Sequence, residues 1–349
     1  MRLHSFDYFR GVAIVFIVAL HCSRPWATNT FTEDVLHNLL ANGTVVFVFI
    51  SGFFFHHIFY DNFHYKTFLI KKLKVVLIPY LILSTLGIIY YAISSDQLPY
   101  LNKFSFHDTS SWDYYPTLIA TYLLTGRIST AYWFIPFISI IFILSPVFTR
   151  YIKLDLKTRI LIGLALLIAA LFIHRPAYDI SPLHSALYFT PIYLLGINCS
   201  INRNQVLDYI QGKTFILGIT VIALAITQAL FIDDVGSRSK LVIFSYNGLD
   251  LNIIQKIFMC FFLLSILHHY ETKSIPALKL LASTSFAIYF IHPWVLTALD
   301  KTPLLSSIEF LPSMLVSLTL VFSVFFISLL IAYSIKLLLK EKSRYLIGW

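Results

Sequence analysis

Arg10 and His21 are ionisable residues inside one apolar run, RGVAIVFIVALH. On a helix, eleven steps of ~100° bring them back to within about 20° of the same azimuth, roughly 16 Å apart along the axis. Ionisable groups within a membrane span are costly and face a bundle interior or a wet cavity. An imidazole accepts a proton near neutral pH, which suits a general base acting on a hydroxyl. It can also act as a nucleophile. The simpler roles are snorkelling of Arg10 to the inner headgroups and a satisfied interfacial His21.

Other residues extend the pattern. His292 ends the run STSFAIYFIH and is followed by Pro293, which frees a backbone carbonyl that needs a partner. It falls at about the depth of His21 if the two helices start on the same side. Tyr132-Trp133-Phe134 put an aromatic cluster at the outer interface, where anchoring is the plain alternative. Lys71 and Lys74 sit i, i+3 and project to one side of a helix start. There they could hold the phosphates of an anionic cofactor, or simply record topology. In GTVVFVFISGF, the small residues Gly43, Ser51 and Gly52 permit close helix approach. His56, His57, His268 and His269 fall at cytoplasmic helix ends and receive no role. Cys22, Cys199 and Cys260 lie in apolar stretches, without disulfide or metal-ligand spacing, and no metal is expected.

The elements that must position these groups are membrane helices. Of 349 residues, 58% are hydrophobic and 12% charged, about half the charge of a soluble domain. The apolar residues come in blocks near the ~20 residues that a bilayer requires. Ten spans are expected, near 7–23, 42–60, 75–94, 131–149, 160–174, 186–201, 214–232, 250–268, 281–299 and 313–335. The first is read as a retained helix, because Arg10 interrupts it and no small-residue cleavage site follows. The segment 112–127, broken by Pro116, is expected to lie at the interface or re-enter. The fold class is thus an all-α polytopic membrane helix bundle. A single transmembrane domain over 1–349 is expected, with no soluble domain.

The net charge of +9 records topology rather than nucleic-acid binding. With the N-terminus inside, 18 of the 26 Lys and Arg fall on the cytoplasmic side. That bias supports both termini cytoplasmic and an even number of spans. The longest loops, 24–41, 95–130 and 233–249, then face outwards. Their aromatics, among them Trp26, Trp112 and Tyr246, would suit a sugar platform or an interfacial belt.

Taken in order, Arg10-x10-His21, Phe47-x3-Ser51-Gly52-Phe53, the basic pair before Pro79, Tyr132-Trp133-Phe134 and Tyr289-x2-His292-Pro293 resemble the acyltransferase 3 family of bacterial membrane acyltransferases. The resemblance covers the whole chain. It implies O-acyl transfer, usually acetyl, from acetyl-CoA or another cytoplasmic acyl-CoA to a carbohydrate hydroxyl outside. Acceptors of the family are exopolysaccharide, capsule or O-antigen, including lipid-linked glycans, at the bacterial inner membrane. Arg10 and His21 match the signature catalytic pair. Arg10, Lys71 and Lys74 are expected at the CoA phosphates, where the family commonly has Arg-x2-Arg. Lysine binds phosphate as a point charge and lacks the bidentate fork of arginine. Trp133, Tyr289 and His292 are expected at the substrate. The fused extracytoplasmic hydrolase-like domain of some members is not expected. An exporter or flippase of polysaccharide is the alternative from another class.

The basic bias makes a topological prediction. Reporter fusions at residue 349 are expected on the cytoplasmic side, and cysteine labels in the 233–249 loop on the outer side. A C-terminus found outside overturns the alternation.

Overall fold

A bilayer offers no partner to an exposed N–H or C=O, so apolar runs this long close their hydrogen bonds within helices. The computed structural model describes residues 3–23, 30–94, 96–106, 112–232, 235–236, 238–303, 307 and 310–349. Arg2, Arg24 and Trp26 lie outside the described residues.

The chain forms α1 (His4–His21), α2 (Phe31–Leu40) and α3 (Thr44–Phe54), the last prolonged by a π-helical stretch, Phe55–Tyr60. Next come α4 (Tyr65–Lys72), a second π-helical stretch, Leu73–Leu77, and α5 (Ile78–Ile93), which make one rod. A short α6 (Tyr114–Thr125) precedes α7 (Phe134–Ile143) and α8 (Ser145–Ile152), which bend 56° from one another. The rest is α9 (Leu156–Ile173), α10 (Pro182–Ile201), α11 (Arg203–Ile210), α12 (Thr214–Phe231), α13 (Leu251–His268), α14 (Pro276–Asp300), α15 (Ser313–Leu339) and α16 (Arg344–Ile347). The described sheet is a parallel two-residue pair, Arg175–Pro176 with Ser239–Lys240.

Among the described residues, seven helices are long and apolar enough to cross a membrane, or eight if α7 and α8 count as one bent span. The other two expected spans fall on α1 and α10, of 18 and 20 residues. At ~1.5 Å per residue both are long enough to cross. They differ from the rest in polarity: α1 carries Asp7, Arg10 and His21, and α10 carries His184 and Asn198. Both pack against several other helices, which is where intramembrane polar groups belong. One loop expectation changes. Residues 31–40 are helical, started by a capping box between Thr30 and Glu33. The 114–125 segment is a helix too short to span, and Pro116 sits in its first turn, where proline is tolerated.

The pairing of α1 with α14 organises the interior. Near the start of both, the Arg10 Nε donates to the Ala282 carbonyl at 3.0 Å. Near the end of α1, the His21 and His292 rings lie 5.5 Å apart. The helices are therefore parallel and in step, with eleven residues on one matched by ten on the other. Gly11 permits the approach, since a β-carbon there would meet the Ala282 nitrogen at 3.0 Å. Below this contact, the Glu271 carboxylate accepts from the His4 and Ser5 amides at 2.8 and 2.9 Å. These are orphan donors of a helix N-terminus. Gly348 lies against the Val75 carbonyl and Phe286, and Trp349 packs on Tyr333. Both described ends of the chain thus share one end of the bundle.

A second close pair, α3 with α10, forms the opposite wall. A β-carbon at Gly52 would overlap the Tyr193 carbonyl, and one at Gly196 would overlap the Phe49 carbonyl. This is the small-residue packing by which membrane helices bring their backbones together. Gly52→Ala and Gly196→Ala are each expected to destabilise the protein by roughly 1–3 kcal/mol through overpacking. Thermal unfolding in detergent measures this. Equal stability of both variants with the wild type would remove the α3–α10 contact from the account.

Candidate active site

Two chambers lie end to end between these helix pairs. The one nearer the start of α1, termed inner for the expected orientation, is about 190 Å³ and is lined by Arg10, Ser51, Lys72, Phe59 and Tyr193 among others. The outer one, about 40 Å³, is lined by His21, Asn42, Thr44, Trp133, Arg175 and Tyr289. Phe47, Phe134 and Phe286 belong to both walls, so three phenyl rings separate the chambers. Among the described residues no carboxylate lines the inner chamber, and Arg10 and Lys72 make it cationic.

The sequence-predicted residues divide between the chambers. Arg10 is in the inner one and His21 in the outer one, as one helical face carrying both requires. His292 is fully buried against His21. Its Nδ1 lies 2.8 Å from the Ile288 carbonyl. A carbonyl only accepts, so Nδ1 carries the proton. The Nε2 lone pair is then left buried without a partner. Trp133 and Tyr289 both line the outer chamber. They are buried chamber walls rather than interfacial anchors.

The basic pair behaves differently. Lys71 and Lys74 are exposed, and neither lines the inner chamber. Lys72, between them, does. Its ammonium lies over the Phe142, Phe59 and Phe68 rings, 4.7, 4.9 and 5.4 Å from the centroids. The π-helical stretch starts immediately after Lys72. Such bulges shift side-chain azimuths and cluster at functional sites. Of the three lysines it is thus Lys72, not Lys71 or Lys74, that lines this chamber.

Several of the motifs also brace one another around the site. The Tyr132 hydroxyl donates to the Phe290 carbonyl at 2.6 Å and accepts from the Trp294 Nε1 at 2.9 Å. The Tyr289 hydroxyl donates to the Ala131 carbonyl at 2.7 Å. The aromatic triplet before α7 and the histidine-proline segment of α14 are thus one interlocking unit. Phe290 lies beside the carbonyl that Pro293 deprives of its helical donor.

Asn42 and Arg175 escaped sequence reasoning. Asn42 stands in the left-handed region, φ 57°, just before α3. Its Nδ2 donates to the Tyr188 hydroxyl at 2.8 Å, which donates to the Asp250 carboxylate at 2.6 Å. Its buried Oδ1 has no partner. The Asn-Gly pair is a left-handed turn signal in the sequence, but nothing there aims it at a site. Arg175 holds Asp179 through Nε and Nη2, at 2.5 and 2.7 Å, and lies over Trp133, 4.5 Å from the ring centroid. Among the described residues, no three His, Cys, Asp or Glu side chains converge as metal ligands.

The arrangement offers a cationic chamber for an anion, an aromatic partition, and an imidazole facing a second chamber. Comparison with known proteins agrees with this chemistry. The family described as an acyltransferase domain matches residues 3–336. No curated protein and no solved structure matches the chain. With nearly its whole length matched and its helices those of a multi-pass membrane protein, the chain belongs to the acyltransferase 3 family.

Proposed function

We propose that the chain moves an acyl group, most simply acetyl, from cytoplasmic acyl-CoA to a hydroxyl of an extracytoplasmic carbohydrate. The acceptor is an exopolysaccharide, capsule or O-antigen glycan, free or lipid-linked, at the bacterial cytoplasmic membrane. One observation carries this reading: the chambers of Arg10 and His21 share a single partition of three rings. Acyl-CoA is too charged to cross a bilayer, so its reactive end must be presented from one side to the other. Lys72 and Arg10 supply cations for the phosphates and the arm, and the thioester reaches past the partition to His21.

At His21 the imidazole takes the proton of the acceptor hydroxyl as its oxygen attacks the thioester carbonyl. The C–S bond then breaks, the CoA thiolate leaves, and the imidazolium returns a proton. The Nε2 lone pair of His292 stands beside the ring on which positive charge develops. Trp133 gives an apolar face for a sugar, and the unpartnered Oδ1 of Asn42 gives an acceptor for one of its hydroxyls.

His21→Ala and His21→Gln are expected to insert normally and to lose about 10²–10⁴-fold or more of the transfer rate. The assay is transfer from labelled acetyl-CoA by the protein in proteoliposomes, with mass spectrometry of surface glycans to identify the product. A well-expressed His21→Ala that transfers at the normal rate overturns the mechanism. A wild-type protein that moves glycan without consuming acetyl-CoA is an exporter instead.

The lysines separate by position. Lys72→Ala is expected to raise KM for acyl-CoA with kcat little changed, the pattern of lost uniform binding. The Lys71→Ala/Lys74→Ala double variant is expected to raise it less. A larger effect in the double variant would return the donor site to the exposed pair.

A further inference from the structure

Among the described residues, Arg159 is a buried cation with no counter-charge. It lies in the first turn of α9, is 6% exposed, and its Nε and Nη1 have no hydrogen-bond partner. Among the described residues, no carboxylate lies within ion-pair distance of it. Asp155, one turn earlier, is occupied in capping α9 through the Thr158 amide and hydroxyl, at 3.0 and 2.6 Å. A guanidinium stays charged at any physiological pH, and burying it unpaired is strongly unfavourable. Either an anion joins it or the site is a standing cost to the fold.

Its surroundings are polar. The Tyr151 hydroxyl donates to the Arg159 carbonyl at 3.0 Å and accepts from the Asn198 Nδ2 at 2.6 Å. The Asn198 Oδ1 is a further buried atom without a partner. His56 Nδ1 lies 2.8 Å from Ser200 Oγ, two residues beyond Asn198 on α10. The same elements reach the inner chamber. Phe55, Ile58 and Phe59, which flank His56 in the π-helical stretch, line it. So does Tyr193, which lies seven residues before Ser200 on the same face of α10, about 10 Å along the axis.

We propose that Arg159 is a binding site for a phosphate ester, and that the ester belongs to the nucleotide end of the acyl-CoA. The inner chamber then receives the arm of the same molecule. The assignment to CoA rests on the function proposed above. The anion site itself does not, because an anionic phospholipid headgroup offers the same chemistry.

The test uses the full chain in nanodiscs of phosphatidylcholine. Equilibrium binding of CoA, 3′-dephospho-CoA and pantetheine is measured for the wild type, Arg159→Gln and Arg159→Lys. Arg159→Gln is expected to weaken CoA binding by roughly tenfold or more, to leave pantetheine within about twofold, and to be partly rescued by lysine. The ligand at which wild type and variant converge identifies the phosphate. In a second arm, phosphatidylglycerol is added to the discs and thermal stability is followed. Stabilisation that depends on Arg159, with no dependence on the CoA phosphates, keeps the anion site and transfers it to a lipid. Equal weakening of all three ligands, or no Arg159-dependent effect in either arm, makes Arg159 a structural residue and overturns the proposal. If Arg159→Gln does not fold, the wild-type comparison and Arg159→Lys decide: a wild type indifferent to both phosphates and phosphatidylglycerol also overturns it. A wild type that binds no CoA refutes the donor assignment, while the lipid arm still tests Arg159.

Discussion

The interior depends on one contact, the parallel packing of α1 along α14. An arginine and a histidine eleven residues apart on a membrane helix need cover along the whole stretch between them. Left to lipid, an arginine at mid-span costs about 2.5–3.5 kcal/mol on insertion scales. Here α14 supplies a carbonyl for the arginine and a ring for the histidine, at nearly matching intervals. A slip of one residue between the helices would turn both partners away by ~100°. Gly11 holds the backbones near enough for that register to count.

The remaining helices fix what this pair leaves open. The tyrosine, tryptophan and carbonyl contacts between α7 and α14 set the side wall. The glycine contacts between α3 and α10 bring the opposite wall in. Where the site needs a side chain in an azimuth that a regular helix does not offer, the backbone departs from regularity. The left-handed Asn42 starts α3 at the outer chamber, and two π-helical stretches border the inner one. Departures of this kind cost energy locally and persist where the surroundings fix them.

The sequence disclosed the features that follow a period or a block. Spans follow from ~20-residue apolar runs, and the alignment of Arg10 with His21 follows from helical geometry. The shared depth of His21 and His292 follows from counting residues from the inner ends of two helices. The features that escaped depend on the tertiary arrangement. Lys72 did not stand out because three lysines in four residues look alike until the neighbouring helices show which one meets the chamber. Asn42 and Arg175 lie in connecting segments, whose direction is set by the helices they join. Arg159 counted as one more basic residue beside a span, since burial without a partner is not a property of composition. The helix α2 was missed because its charged first turn looks like a loop until Thr30 and Glu33 are recognised as a cap.

The three rings between the chambers also bear on the membrane itself. A bundle with polar groups along its axis would offer protons and small ions a wet route down their electrochemical gradient. Narrow apolar constrictions stop such flow by shedding water. Phe47, Phe134 and Phe286 place one between the two cavities. The polar groups along the bundle axis are thereby split into two separate wet compartments instead of one continuous path.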